Sequence, residues 1–209
     1  MPRARRRLRN SGFTLIELIV ALAGVGLVLA GLATFFVGSQ QSFLVGANQV
    51  EAQQNVRIAI ARMTDEIRNA GNGPLPAPGA CPCAIATGQT ATSFTLQNDW
   101  NGNGLIEPGL TVLVNGTEQR GEQIAYSFVG GQLRRQESTV DVAALPIIGG
   151  IQSLTFTYLD ASGNPTATTA NIRSVVVTVQ TGPETRQAAT YDQGKVLVTM
   201  TDTARIRNR

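Results

Sequence analysis

The sequence predicts an α+β protein, with a long N-terminal transmembrane and amphipathic helix packed against a C-terminal antiparallel β-sheet head. Three observations predict it. Residues 13 to 38 read FTLIELIVALAGVGLVLAGLATFFVG and carry one ionisable side chain, Glu17. Residues 39 to 71 continue without proline, with apolar side chains at three- and four-residue steps. From residue 94 the apolar period changes to two.

The first element is a short basic leader, residues 1–12, with five arginines and no acid. The apolar run behind it exceeds the roughly 20 residues that a helix needs to cross a bilayer. Basic residues stay on the cytoplasmic side, so the chain after residue 38 is expected outside the cytoplasm. Glu17 is the odd residue of the span. A carboxylate in hydrocarbon needs a partner or a shallow position. Cleavage between Gly12 and Phe13 would create one, the new α-amine of Phe13, on the same subunit or on a neighbour. A secretory signal is cut after its apolar region, whereas here the small residue precedes it. The cut chain would keep its anchor.

The basic leader, the run Gly12, Phe13, Thr14, Leu15, Ile16, Glu17 and the uninterrupted apolar helix resemble the class III signal of type IV pilins and type II secretion pseudopilins. The resemblance implies cleavage after Gly12 by a prepilin peptidase, N-methylation of Phe13, and pairing of Glu17 with a neighbour's N-terminus during assembly. It also implies other pilin subunits and an inner-membrane assembly platform as partners. The plain alternative is a signal-anchor that holds a single-pass binding or sensor domain.

Gly24, Gly26, Gly31 and Gly38 would disfavour this helix in water, but in lipid they permit close approach of another helix. Major pilins often carry a proline midway along the segment, where this chain has Thr34. In the amphipathic half, residues 39–71, Phe43, Ala47, Val50, Val56, Ile60, Met63, Ile67 and Ala70 predict one apolar stripe. Arg57, Arg62, Asp65, Glu66 and Arg68 lie largely off it and are expected on a solvated face, with subunit contacts as the other reading. Gly71 and Gly73 end the helix.

Residues 72–93 are rich in Pro, Gly and small polar residues and predict a loop. It holds both cysteines, Cys81 and Cys83. A local disulfide between them closes a small, strained ring; an intermolecular bridge and free thiols are the other readings.

The head, residues 94–209, is expected to be one antiparallel sheet with one buried face. Its strands are marked by Phe94 and Leu96, Leu110 to Val114, Ile124-Tyr126-Phe128, Leu154-Phe156-Tyr158, Val175-Val177-Val179 and Val196-Val198-Met200. Gly130-Gly131 suits a two-residue hairpin turn. The helix end EIRNAG, the cysteine loop, the Leu133-Arg134-Arg135 hairpin, LTFTYLDASG, IRSVVVTVQ and the terminal ARIRNR look like the minor pilin PilW, with the pseudopilin GspJ as near relative.

One further motif carries chemistry. Asp99, Asn101, Asn103, Leu105 and Glu107 take positions 1, 3, 5, 7 and 9 of an EF-hand-like calcium loop, with Gly104 at position 6, but position 12 is Leu110 instead of a bidentate Glu. The other reading is an Asn/Gly-rich turn between strands. No cofactor is required on either reading, and calcium is the one candidate.

Composition sets the function class. The chain has 209 residues, no histidine and a single lysine, Lys195, so the commonest general base is missing and no spacing suggests a catalytic set. The formal charge is +3, but without the five leader arginines 12 basic residues face 14 acids. Arg134, Arg135, Arg205, Arg207 and Arg209 are expected on a solvated face, and no nucleic acid is expected as partner. Composition thus points to a non-enzymatic protein, and the resemblance implies an assembly subunit, a minor pilin near the fibre tip, with a minor pseudopilin as the alternative. It is expected in the inner membrane before assembly and at the cell surface after.

Overall fold

A computed structural model describes residues 12–73, 83–183 and 196–208. The chain divides into two compact units, one ending at Leu44 and the other running from Val45 to Arg209. A single helix, α1 (Leu15–Asn69), contributes to both.

In the first unit every described residue is exposed. Ile16 is 71 % exposed, Leu27 78 % and Phe35 75 %, so an apolar surface runs the length of the segment. The helix is long and apolar enough to cross a membrane. In water such a surface would drive association; in a bilayer it is the ordinary outside of a span. Gly24, Gly26, Gly31 and Gly38 have nothing within 4 Å of where a Cβ would stand, so no contact inside the unit accounts for them.

The second unit starts from the other half of α1, where Ala, Gln, Glu and Arg favour helix. Asn48, Ala52, Val56, Ala59, Ile60, Met63, Thr64 and Ile67 are its buried residues. The predicted stripe therefore holds from Val56 onward and fails before it: Phe43 is 76 % and Val50 52 % exposed, and Ala47 is exposed too. Stepping back from Val56 by fours reaches Ala52 and Asn48. Val50 lies six residues back, about 240° round the helix. Hydropathy favoured Val50 over Asn48, but the geometry of the helix decides for Asn48.

The last helical carbonyls are capped by the chain's other end. Asn208 Nδ2 donates to the carbonyls of Asn69 and Ala70 at 3.1 and 3.3 Å, and the Arg207 amide donates to that of Arg68 at 3.2 Å. Gly71, at φ +75°, turns the chain away, and a Cβ there would stand 3.1 Å from that of Ala84.

Nine strands follow among the described residues: β1 (Ser93–Gln97), β2 (Thr111–Val114), β3 (Glu118–Gly121), β4 (Gln123–Val129), β5 (Gln132–Glu137), β6 (Leu145–Ile148), β7 (Ile151–Leu159), β8 (Ser174–Thr181) and β9 (Val198–Arg205). All pair antiparallel, but in three sheets rather than the single sheet expected: β1-β4-β5-β6, β2-β3 and β7-β8-β9. Gly130 and Gly131, at φ +60° and +74°, form the β4–β5 turn as predicted. Residues 83–85, expected in a loop, are buried, and Ile85 bridges to Leu96.

One core joins these pieces. Val56, Met63 and Ile67 of α1 cluster with Phe94, Leu96 and Tyr126 of the first sheet and with Phe156, Val177 and Ala204 of the third. Phe94 stacks on Tyr126 at 5.3 Å and meets Phe156 edge-on at 4.6 Å, which ties the two larger sheets together. The sheets thus seat the second half of α1, the arrangement of an α+β pilin fold.

Candidate functional site

The N-terminal site starts where the helix does. Thr14 occupies the cap position and Glu17 the third helical position, a T-x-x-E capping box. The Thr14 backbone amide donates to Glu17 Oε2 at 2.9 Å and the Thr14 hydroxyl to the same oxygen at 2.8 Å. In return the Glu17 amide donates to Thr14 Oγ1 at 3.4 Å. The acid therefore does three things at once. It satisfies a helix-start amide, it stands at the positive end of the helix dipole, and it keeps Oε1 without a hydrogen bond among the described residues. The Gly12–Phe13 bond lies immediately before this box, with Phe13 87 % exposed. An amine at Phe13 would stand close to the box.

A small polar signal ahead of a long, exposed apolar helix decides the comparison with known families. The chain carries a prokaryotic N-terminal methylation motif. The family model of that description matches residues 7–33, which include Gly12, Phe13, Glu17 and most of the apolar run. The match supports a type IV pilin-like family, pilin or pseudopilin, and with the long apolar helix it fits a membrane-anchored subunit. No curated protein matches the chain.

The calcium-loop residues are gathered in the second unit, between β1 and β2. Asp99, buried, organises them: its Oδ1 accepts the amides of Gly102 and Asn103 at 2.7 and 3.2 Å, and its Oδ2 accepts that of Gly104 at 2.7 Å. Asn101 and Asn103 both donate from Nδ2 to Glu107 Oε2, at 3.0 and 2.7 Å. Leu105 is exposed and gives its amide to Asn103 Oδ1. Among the described residues no three His, Cys, Asp or Glu side chains come together as a group able to hold a metal ion. The sequence reading missed the residue that anchors the loop from outside. Glu122, fully buried, accepts the amides of Trp100 at 3.2 Å and Glu107 at 2.7 Å. Nothing in its local pattern, a polar residue between β3 and β4, distinguishes it from a solvent-facing one.

Two expectations of a solvated face are corrected. Glu66 and Arg135 both have side chains only 13 % exposed, paired at 3.1 Å. Glu66 also accepts the Tyr126 hydroxyl at 2.8 Å and pairs with Arg62 at 2.9 Å. Arg135 reaches Glu137 at 2.7 Å and Asp141 at 3.5 Å, while Arg120 holds the other oxygen of Glu137 at 2.9 Å. The physical reason is strand alternation: Leu133, Arg135 and Glu137 share one face of β5, and Leu133 is fully buried. Burial works against the charge on Glu137, but Arg135, the Gly121 amide and Arg120 outweigh it and hold the carboxyl below its usual range. Burial beside Glu66 pushes the Tyr126 phenol up.

Cys83 is buried and is not a free thiol. Cys81, Lys195 and Arg209 lie outside the described residues, so the expected Cys81–Cys83 pairing falls outside them too.

Proposed function

We propose that the chain is a minor pilin, a non-enzymatic structural subunit that helps initiate a type IV pilus and sits near its tip. The observation that carries the reading is the methylation motif on a helix that continues unbroken into a sheet-bearing unit. Before assembly the apolar helix holds the subunit in the inner membrane. Prepilin peptidase cuts after Gly12 and the Phe13 amine is methylated. Glu17, held in place by Thr14, then offers its remaining oxygen to a neighbouring subunit's amine. On the second half of α1, Ala47, Val50, Ile58 and Ala61 lie on the side away from the buried residues and are exposed. That face is left for neighbouring helices. A minor pseudopilin of a type II secretion fibre shares these features and is the runner-up.

The experiment is to delete the gene, count surface fibres, and locate an epitope-tagged copy. The reading expects far fewer fibres and label confined to one fibre end. Label along the whole fibre, or a defect only in protein secretion, would overturn it.

A further inference from the structure

Among the described residues, every sheet edge of the second unit is guarded except one. Residues 84–86 cover β1: the Ala86 amide donates to the Thr95 carbonyl and the Gln97 amide to that of Ala84, both at 2.9 Å. On β7 the Phe156 amide donates to the Ala91 carbonyl at 2.8 Å, and the Tyr158 carbonyl accepts the Thr166 amide at 2.9 Å. Strands β2, β3 and β6 are only four residues long, and β6 adds Pro146 and a register shift. Cover, shortness, proline and bulges are the usual defences of an edge. β9 has none of them. It runs eight residues, VTMTDTAR, in unbroken register with β8, and no other described strand pairs with it.

One hydrogen bond defines the open side of β9. The Thr203 amide donates to Asp202 Oδ1 at 2.8 Å and so faces away from β8. Backbone groups alternate between the two sides of a strand, so those of Thr199, Thr201 and Arg205 face the same way. The side chains of these four residues are exposed, with no acid among them. In the other row of β9, Val198 and Met200 pack against the core but are only partly buried, which leaves apolar surface beside the edge. Asp202 stands in that row, half-buried. Among the described residues its partners are the Thr203 amide and, at 3.4 Å, the Thr64 hydroxyl, and no cation pairs with it. A basic side chain on an incoming strand would supply the missing charge-assisted contact.

We propose that β9 accepts an added strand from another protein: an extended segment with small polar residues outward, apolar residues beside Val198 and Met200, and a lysine or arginine opposite Asp202. A second copy of β9 does not supply that cation. Paired antiparallel with both buried rows on one face, it sets Val198, Met200, Ala204 or Asp202 itself opposite Asp202. The proposal stands whether or not the chain assembles into a fibre.

The full chain in detergent is titrated against a fluorescein-labelled peptide, TVTRTVTV, which in antiparallel pairing sets its arginine opposite Asp202, and anisotropy is followed. The proposal expects saturable binding, weakened about fivefold or more when glutamate replaces the arginine. N-methylation of the peptide's threonines removes the amides that would face β9 and should abolish binding, whereas N-methylation of its valines and arginine should spare it. Asp202→Asn should make the arginine and glutamate peptides bind more nearly alike. Thr201→Pro, a change that an edge strand tolerates, should abolish binding with little fall in melting temperature. Where that variant fails to fold, the two N-methylated peptides test the edge on the unaltered chain. No saturable rise at millimolar peptide, equal binding of the two N-methylated peptides, a preference for the glutamate peptide, or unchanged affinity in folded Thr201→Pro would each overturn the proposal. So would a dimer of the chain that Thr201→Pro dissolves, since it would give the edge to a second copy.

Discussion

Thr14 donates both its backbone amide and its hydroxyl to a single carboxylate oxygen of Glu17, at 2.9 and 2.8 Å. An acid that reads as misplaced in an apolar run is thus already partnered by its own helix start. One oxygen builds the cap, and the other, without a hydrogen bond among the described residues, is the one the proposed contact with a neighbour would use.

Replacing Thr14 by Val removes the hydroxyl and should weaken the helix start by about 1 kcal/mol. Replacing Glu17 by Ala removes cap and contact together. Both variants should insert into the membrane normally, and Glu17→Ala should be largely lost from fibres while Thr14→Val is retained in part. Fractionation and immunoblotting of sheared fibres check this; full incorporation of Glu17→Ala would refute the contact role.

The Glu66–Arg135–Glu137 cluster ties α1 to the first sheet, so its loss should loosen the second unit. Arg135→Met leaves two largely buried carboxylates without their shared cation and should cost about 3 kcal/mol. Tyr126→Phe removes only a hydroxyl donated to Glu66 and should cost about 1 kcal/mol. Urea unfolding of the full chain in detergent measures both, and equal costs would contradict the cluster's role.

Acid should act through Glu137. Its carboxyl is held below the usual range in the folded chain, so the stability it contributes is fully present above the unfolded value, about 4.3, and is lost progressively below that, as pH falls through the lower folded value. Thermal midpoints should be flat near neutrality and drop below about pH 4.5. Glu137→Gln should be less stable at neutral pH and flatter in acid. An equally steep acid drop in that variant would place the titration elsewhere.

The Asp99 loop should depend on its own hydrogen bonds. Asp99→Ala strips an acceptor from three backbone amides and should cost about 2 kcal/mol or more. Because the carboxylates of Asp99, Glu107 and Glu122 are spent on amides of the same loop, the melting temperature should be the same in calcium and in chelator. A chelator-sensitive shift would revive the cation reading.

What was legible in the sequence follows from which signals are local. The long apolar helix and the alternation of Phe94, Tyr126, Phe156 and Val177 are each a pattern within one segment, and the structure places them as read. Asn48 was missed because the phase of a helix face is set by what packs on it, and a polar residue can take an inward position. Arg135 and Glu66 looked solvated because the contact that joins them across the fold spans 69 positions. Glu122 was invisible because the amides it accepts lie on a loop distant in the chain, and the division into three sheets depends on pairing that no single strand encodes.

The central claim, that the chain is processed and assembled through its N-terminus, is tested most directly by mass spectrometry of the protein recovered from its own cells. The account predicts a mature chain that begins at N-methylated Phe13. An intact chain that begins at Met1, or an unmethylated internal start, would contradict it.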